Sequence, residues 1–161
     1  IVIALAMAAP PNLLIADEPT TALDVTIQYE IINLIKELNK KRGTSVLFVS
    51  HDLGVVSNIC ERIIVMYAGE IVESGKTEEV LMHPRHPYTK SLLKALPDSA
   101  DPDEPLQAIE GEPPNLLQRP VGCAFSDRCN QVMDICKKNH PELMESGIGH
   151  QVSCWLEKVI V

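Results

Sequence analysis

Two acidic residues stand side by side at Asp17-Glu18, directly after the apolar run Leu13-Leu14-Ile15-Ala16 and directly before Pro19. The run is too short for a helix. It reads as a buried strand of a parallel sheet with its polar residues at the carboxyl end. In open α/β sheets, ligands bind at that edge. One carboxylate there can hold a hydrated magnesium ion, and its neighbour can align an attacking water. The plainer reading is a strand that emerges into solvent, and the dipeptide alone leaves both open. A second apolar run, Ser45-Val46-Leu47-Phe48-Val49-Ser50, ends in His51-Asp52 and puts an imidazole at the same kind of edge. A histidine out of context is more often structural than catalytic.

Cysteine is the other reactive residue type. Cys123, Cys129, Cys136 and Cys154 follow C-x5-C-x6-C-x17-C, with Cys60 far from them in sequence. Four thiolates suffice for a tetrahedral zinc or for an iron–sulfur cluster. Structural zinc usually takes a C-x2-4-C knuckle, which is missing here, so the wider gaps lean towards a larger cluster. Two disulfides, or four unligated thiols, are the competing readings. His140 and His150 are minor alternative ligands, and Trp155 is expected to cover the site. Cys60 reads as a small buried hydrophobe inside a short helix over 53–61.

Several elements must hold these groups in place. Asp24 is a plausible N-cap for a helix from Val25 to Arg42, which Gly43 stops. Ile27, Ile31, Leu34, Ile35 and Leu38 recur at helical spacing and are expected to form its buried stripe. The basic residues Lys40-Lys41-Arg42 complement the helix dipole. Residues 1–9 form a helix that Pro10-Pro11 ends. Ala68-Gly69 separates two strand-like runs, 62–67 and 70–73, and predicts a hairpin. Thr77 is expected to cap one short helix, and Thr89 an amphipathic one running to Pro97. Prolines around His83 and His86 favour a loop over metal ligation. Asp98 to Pro105 has the composition of a linker.

Placed together, Leu13-Leu14-Ile15-Ala16-Asp17-Glu18-Pro19-Thr20-Thr21-Ala22-Leu23-Asp24 resembles the Walker B motif and D-loop of ATP-binding-cassette (ABC) ATPases. The segment SVLFVSHDL resembles their H-loop, and MYAGEIVESG the end of their catalytic domain. HPYTKSLLKALP resembles a segment that marks ATP-binding subunits of dipeptide and oligopeptide importers. The stretch from Gly111 through the cysteines to Trp155 resembles the C-terminal extension of those subunits.

The resemblance implies an α/β fold, a partial P-loop NTPase core with parallel strands and flanking helices. A small irregular cysteine-rich extension follows. It divides the chain into 1–84, the C-terminal part of an ABC ATPase domain, and 85–161, the extension. It implies that Asp17 serves Mg2+ and ATP and that Glu18 is the general base. His51 then contacts the γ-phosphate, and Asp24 the partner subunit. It also implies a [4Fe-4S] cluster on the four cysteines, with Zn2+ as the alternative.

The implied function is ATP hydrolysis that powers import of di- or oligopeptides. The implied partners are a second ATP-binding subunit (as homo- or heterodimer), transmembrane permease subunits and, indirectly, a substrate-binding protein. The implied location is peripheral, at the cytoplasmic face of the cell membrane. Neither a G-x-x-x-x-G-K-[ST] phosphate loop nor the ABC signature is in the sequence. The chain is therefore read as part of a longer subunit, and on its own it is expected to be inactive. Alternatives are a non-catalytic cluster- or metal-binding dimerisation module, or a subunit of a related importer for nickel or another solute. A soluble ABC ATPase of translation or repair is disfavoured by the HPYT segment.

Composition sets wider bounds. The 161 residues suit one domain or a domain piece with a small module. A net charge of −8 argues against a nucleic-acid-binding surface. No apolar run reaches membrane-spanning length, and the opening residues lack the basic flank of a signal peptide.

Overall fold

The computed structural model describes residues 2–9, 11–96 and 108–159. The linker expected over 98–105, Pro10 and Pro97 lie outside the described residues. The fold is mixed α/β and forms two compact units, Ile1–Cys60 and Glu61–Val161. The motif-based division at 84/85 is a partition by resemblance and runs through the second unit.

In the first unit the order is α1 (Val2–Ala6), β1 (Leu13–Asp17), α2 (Val25–Arg42), β2 (Ser45–Val49) and α3 (Leu53–Ile59). Strands β1 and β2 pair in parallel, with Leu13 opposite Ser45 and Asp17 opposite Val49. Helix α2 has the bounds its sequence signals demand. The Asp24 carboxylate accepts the Ile27 N–H at its start. Gly43, at φ 65°, ends it in the left-handed conformation and donates to the Asn39 carbonyl.

Three expectations change here. The buried residues of α2 are Ile32 and Ile35, while Ile27 and Leu34 are exposed. In the strand pair, Leu13, Ile15, Leu47 and Val49 are exposed, so these strands are not buried on both faces. Only the alternate side chains Leu14, Ala16, Val46 and Phe48 are shielded, the period-two pattern of a half-covered sheet. Cys60 follows α3 as its C-cap and is half-buried rather than a fully buried helical residue.

In the second unit, β3 (Arg62–Tyr67) and β4 (Glu70–Lys76) form the expected antiparallel hairpin. Its two-residue turn has Ala68 at φ 51° and Gly69 at φ 80°, the positive pair that such tight turns require. Then come α4 (Thr77–Met82), α5 (Pro87–Lys94), a 3-10 turn (Ser126–Arg128), α6 (Asp134–Lys138), β5 (Met144–Glu145), β6 (Gln151–Val152) and α7 (Leu156–Val159). Strand β6 pairs with β4 and β5 with β6, giving a four-stranded antiparallel sheet in the order β3-β4-β6-β5. The cysteine-bearing region is thus not wholly irregular: it adds two strands to the hairpin.

Both threonine caps are corrected. Thr77 is the first residue of α4 and Lys76 the cap. The cap of α5 is His86, whose Nδ1 accepts the Tyr88 N–H at 3.0 Å with Pro87 in the first turn. Thr89 instead sits buried within the helix.

The core of this unit is aromatic. Phe125, 1% exposed, meets Tyr67, Tyr88 and His86 at ring-centroid distances of 5.2, 5.3 and 5.9 Å. This unit therefore has a hydrophobic nucleus of its own beside the cysteines. Among the described residues no helix is long and apolar enough to cross a membrane.

Candidate functional site

The parallel register of β1 and β2 brings their carboxyl ends side by side. Asp17 closes β1 opposite Val49, and the ladder runs one residue further, with the Glu18 N–H donating to the Val49 carbonyl at 2.9 Å. Glu18 then turns sharply, with φ at 44°. A glutamate in the left-handed region is uncommon and held there by its surroundings. Its side chain meets His51, which leaves β2 at the same edge: Glu18 Oε1 lies 3.0 Å from His51 Nδ1. The Thr21 hydroxyl donates to the other oxygen, Oε2, at 2.9 Å.

These bonds, the one from His51 foremost and then that from Thr21, hold the Glu18 carboxyl below the usual carboxylate range. Both Glu18 and His51 remain open to solvent. A carboxylate bonded to an imidazole at an open sheet edge can accept a proton from water. Asp17, also exposed, offers the hard oxygen that magnesium prefers, so the donors here fit one edge of a magnesium–nucleotide site. Asp24 lies after the loop, its carboxylate engaged in capping α2. Thr21 is a site residue that the sequence reading did not single out. Its only sequence signal is a hydroxyl three residues after the glutamate.

The four cysteines belong to the second unit, and all line one pocket. They share it with His86, Pro87, Phe125, Trp155 and Leu156 among others. The chain crosses itself closely there. The Cys123 N–H donates to the Cys136 carbonyl at 2.7 Å, and a Cβ on Gly122 would lie 2.0 Å from that same oxygen. Trp155 lines the pocket and anchors its indole N–H on the Asn139 carbonyl at 2.9 Å. Burial pushes the Cys154 thiol up to about 11 and raises those of Cys123 and Cys129.

The expected metal centre does not follow from this geometry. Among the described residues no three His, Cys, Asp or Glu side chains stand as a ligand set. The thiols share their pocket with the apolar side chains of Phe125, Trp155 and Leu156, and a metal binds sulfur only as thiolate. The described residues thus give no support to the expected [4Fe-4S] cluster or to the zinc alternative. His140 lies 3.6 Å from Glu70, and His150 pairs with Glu73, so neither is given to the cysteines.

Glu73 escaped sequence reading altogether. It is fully buried and accepts three donors: His150 Nε2 at 2.7 Å, the Arg85 N–H at 2.8 Å and the His86 N–H at 3.0 Å. It ties β4, the turn into α5 and the loop before β6 together. Arg85 extends the tie, donating to Ser146 and Glu157 at 2.8 Å each.

Comparison with known proteins bears on both units. Residues 72–136 match the family model described as "Oligopeptide/dipeptide transporter, C-terminal region". Residues 1–57 match an AAA domain model whose description also names a type IV TA system. The chain is 50% identical to the oligopeptide transport ATP-binding protein OppD of Bacillus subtilis (strain 168), over 97% of its own length and 44% of that protein. It resembles the ATP-binding subunits of peptide transporters.

The dipeptide transport ATP-binding protein DppD of the same organism is 45% identical over 98% of this chain and 47% of that protein. OppD of Haemophilus influenzae (strain ATCC 51907 / DSM 11121 / KW20 / Rd) is 46% identical over 97% and 48%. The chain thus spans about half the length of the curated relatives it matches. A solved structure, cbiO1 from Clostridium perfringens, part of the ABC transporter complex cbiONQ, is 34% identical. It covers 45% of this chain and 29% of that one, with a TM-score of 0.43. The transporter match includes the His86-Pro87-Tyr88 cap of α5 and ends at Cys136, before Cys154.

Proposed function

We propose that the chain is part of an ATP-hydrolysing subunit that powers import of di- or oligopeptides across the cell membrane. The observation that carries this reading is the contact of Glu18 with His51 at the carboxyl ends of two paired parallel strands. Bound Mg-ATP supplies the phosphoryl group and the cation that neutralises its charge. Asp17 serves the magnesium shell. Glu18 accepts the proton of the attacking water, and His51 orients that carboxylate and contacts the γ-phosphate. The phosphate loop comes from the rest of the longer subunit and the signature from a second ATP-binding subunit, so the chain alone binds ATP poorly and does not turn it over.

The same reading places Asp24 and its loop against a second ATP-binding subunit. Permease subunits dock on the pair, and a substrate-binding protein acts through them. The complex sits at the cytoplasmic face of the membrane. Residues 1–84 carry the chemistry in this view, and 85–161 form the extension. Reconstituting the longer subunit with its permease in vesicles tests the proposal. Peptide uptake dependent on ATP supports it. ATP-driven uptake of nickel or another solute in place of peptides moves the assignment to a related importer.

The second reading, a cluster- or metal-binding module, is favoured by one observation: all four cysteines converge on a single pocket. It requires the sulfurs to close in as thiolates. Anaerobic purification with iron, sulfide and zinc analysis decides it. Stoichiometric iron and sulfide support a cluster, and zinc alone supports a zinc site. Neither leaves the thiols as packing groups.

A further inference from the structure

Glu18 stands at a solvent-open edge, where a glutamate with three rotatable side-chain bonds would sample many orientations. A single hydrogen bond from His51 to Oε1 leaves the carboxylate free to swing about that contact. The second bond removes this freedom. Thr21 Oγ1 donates to Oε2 at 2.9 Å, so each carboxylate oxygen has its own partner, and the two partners come from different segments.

The loop between β1 and α2 is shaped to deliver that hydroxyl. Glu18 at φ 44° and Ala22 at φ 62° bracket the turn, which is closed by Thr21 N–H to the Glu18 carbonyl and Leu23 N–H to the Thr20 carbonyl, each 3.2 Å. Thr20 points inward and is buried, leaving Thr21 as the residue that faces Glu18. A β-branched side chain has few χ1 states, which makes threonine a stiffer bracket than serine.

We propose that Thr21 is a positioning residue for hydrolysis, holding the Glu18 carboxylate by Oε2 so that Oε1 stays aimed beside His51. The proposal rests on the reading of Glu18 as general base. Thr21 itself touches neither water nor nucleotide and acts through Glu18.

The test uses the longer ATP-binding subunit. Thr21→Val keeps the shape and removes the donor. It is expected to lower kcat roughly tenfold while leaving KM for ATP within about twofold, since orientation of a base acts in the transition state. Thr21→Ser restores the hydroxyl and is expected to stay within about threefold of the parent. In a Glu18→Gln background, followed by single-turnover measurement, Thr21→Val is expected to add no further loss, because the two act as one unit.

Thr21→Ala, paired with a nucleotide-binding measurement, replaces the valine variant if that protein does not fold. An unchanged kcat overturns the proposal. So does a loss carried wholly by KM, a serine variant as slow as the valine one, or an equal further loss on the Glu18→Gln background. Failure of the base reading shows separately, as full activity of Glu18→Gln alone.

Discussion

Glu18 Oε1 and His51 Nδ1 stand 3.0 Å apart although 33 residues separate them in the chain. The in-register pairing of β1 with β2 produces this, because Glu18 directly follows the last rung of β1 and His51 follows that of β2 with only Ser50 between. The relationship has a kinetic consequence in the longer subunit. His51→Ala is expected to reduce kcat by about a hundredfold with ATP affinity kept, the scale on which a base and its partner contribute. Steady-state hydrolysis with a parallel nucleotide-binding titration checks it.

Glu73 is a buried acceptor for three donors, one of them an imidazole. Glu73→Ala leaves all three unpaired inside the protein. It is expected to cost about 3–5 kcal/mol of unfolding free energy, the range for breaking a buried pair from one side. Urea denaturation of the chain measures this. A cost below about 1 kcal/mol would show that solvent reaches the network.

Burial lowers the His86 pKa to about 4 from an ordinary 6.5, with Lys90 adding to the effect. The folded pKa lies below the unfolded one, so the unfolded state takes up the proton first as pH falls. His86 therefore contributes stability above about pH 6.5 that is lost as pH drops towards 4, at most roughly 3 kcal/mol. His86→Asn keeps a good cap without the titration. Thermal melts between pH 7 and 4 are expected to fall less steeply for the variant.

At Gly122 a Cβ would lie 2.0 Å from the Cys136 carbonyl oxygen, and a backbone atom has little room to yield. Gly122→Ala is expected to destabilise the chain by about 3 kcal/mol. It should also part the Cys123–Cys136 backbone contact. Faster labelling of the pocket cysteines by a thiol reagent would report that opening.

Local signals made much of this readable in advance. Asp24 and Gly43 mark both ends of α2 because a cap and a left-handed stop act on neighbouring atoms. Ala68-Gly69 announces its hairpin for the same reason. Glu18 and His51 could be placed on a common edge because parallel strands align their carboxyl ends. Relationships at long range were hidden. Glu73 and His150 are 77 residues apart, and neither has a local feature that points to the other.

Thr89 had the better capping chemistry, yet His86 won because Pro87 favours the first helical turn and the Glu73 carboxylate holds the His86 N–H. Cysteine spacing counts ligands but not their geometry. It showed four thiols with Trp155 beside them, and not that Phe125 and Leu156 complete the wall around them.

The central claim is that Glu18 is the general base of an ATP hydrolysis site completed by the rest of the subunit and by a second ATP-binding subunit. Glu18→Gln in that longer protein tests it most directly, with ATP binding and phosphate release measured on the same sample. The account predicts ATP binding within a few-fold of the parent and turnover reduced by at least about a hundredfold. Undiminished phosphate release from the Gln variant would contradict it.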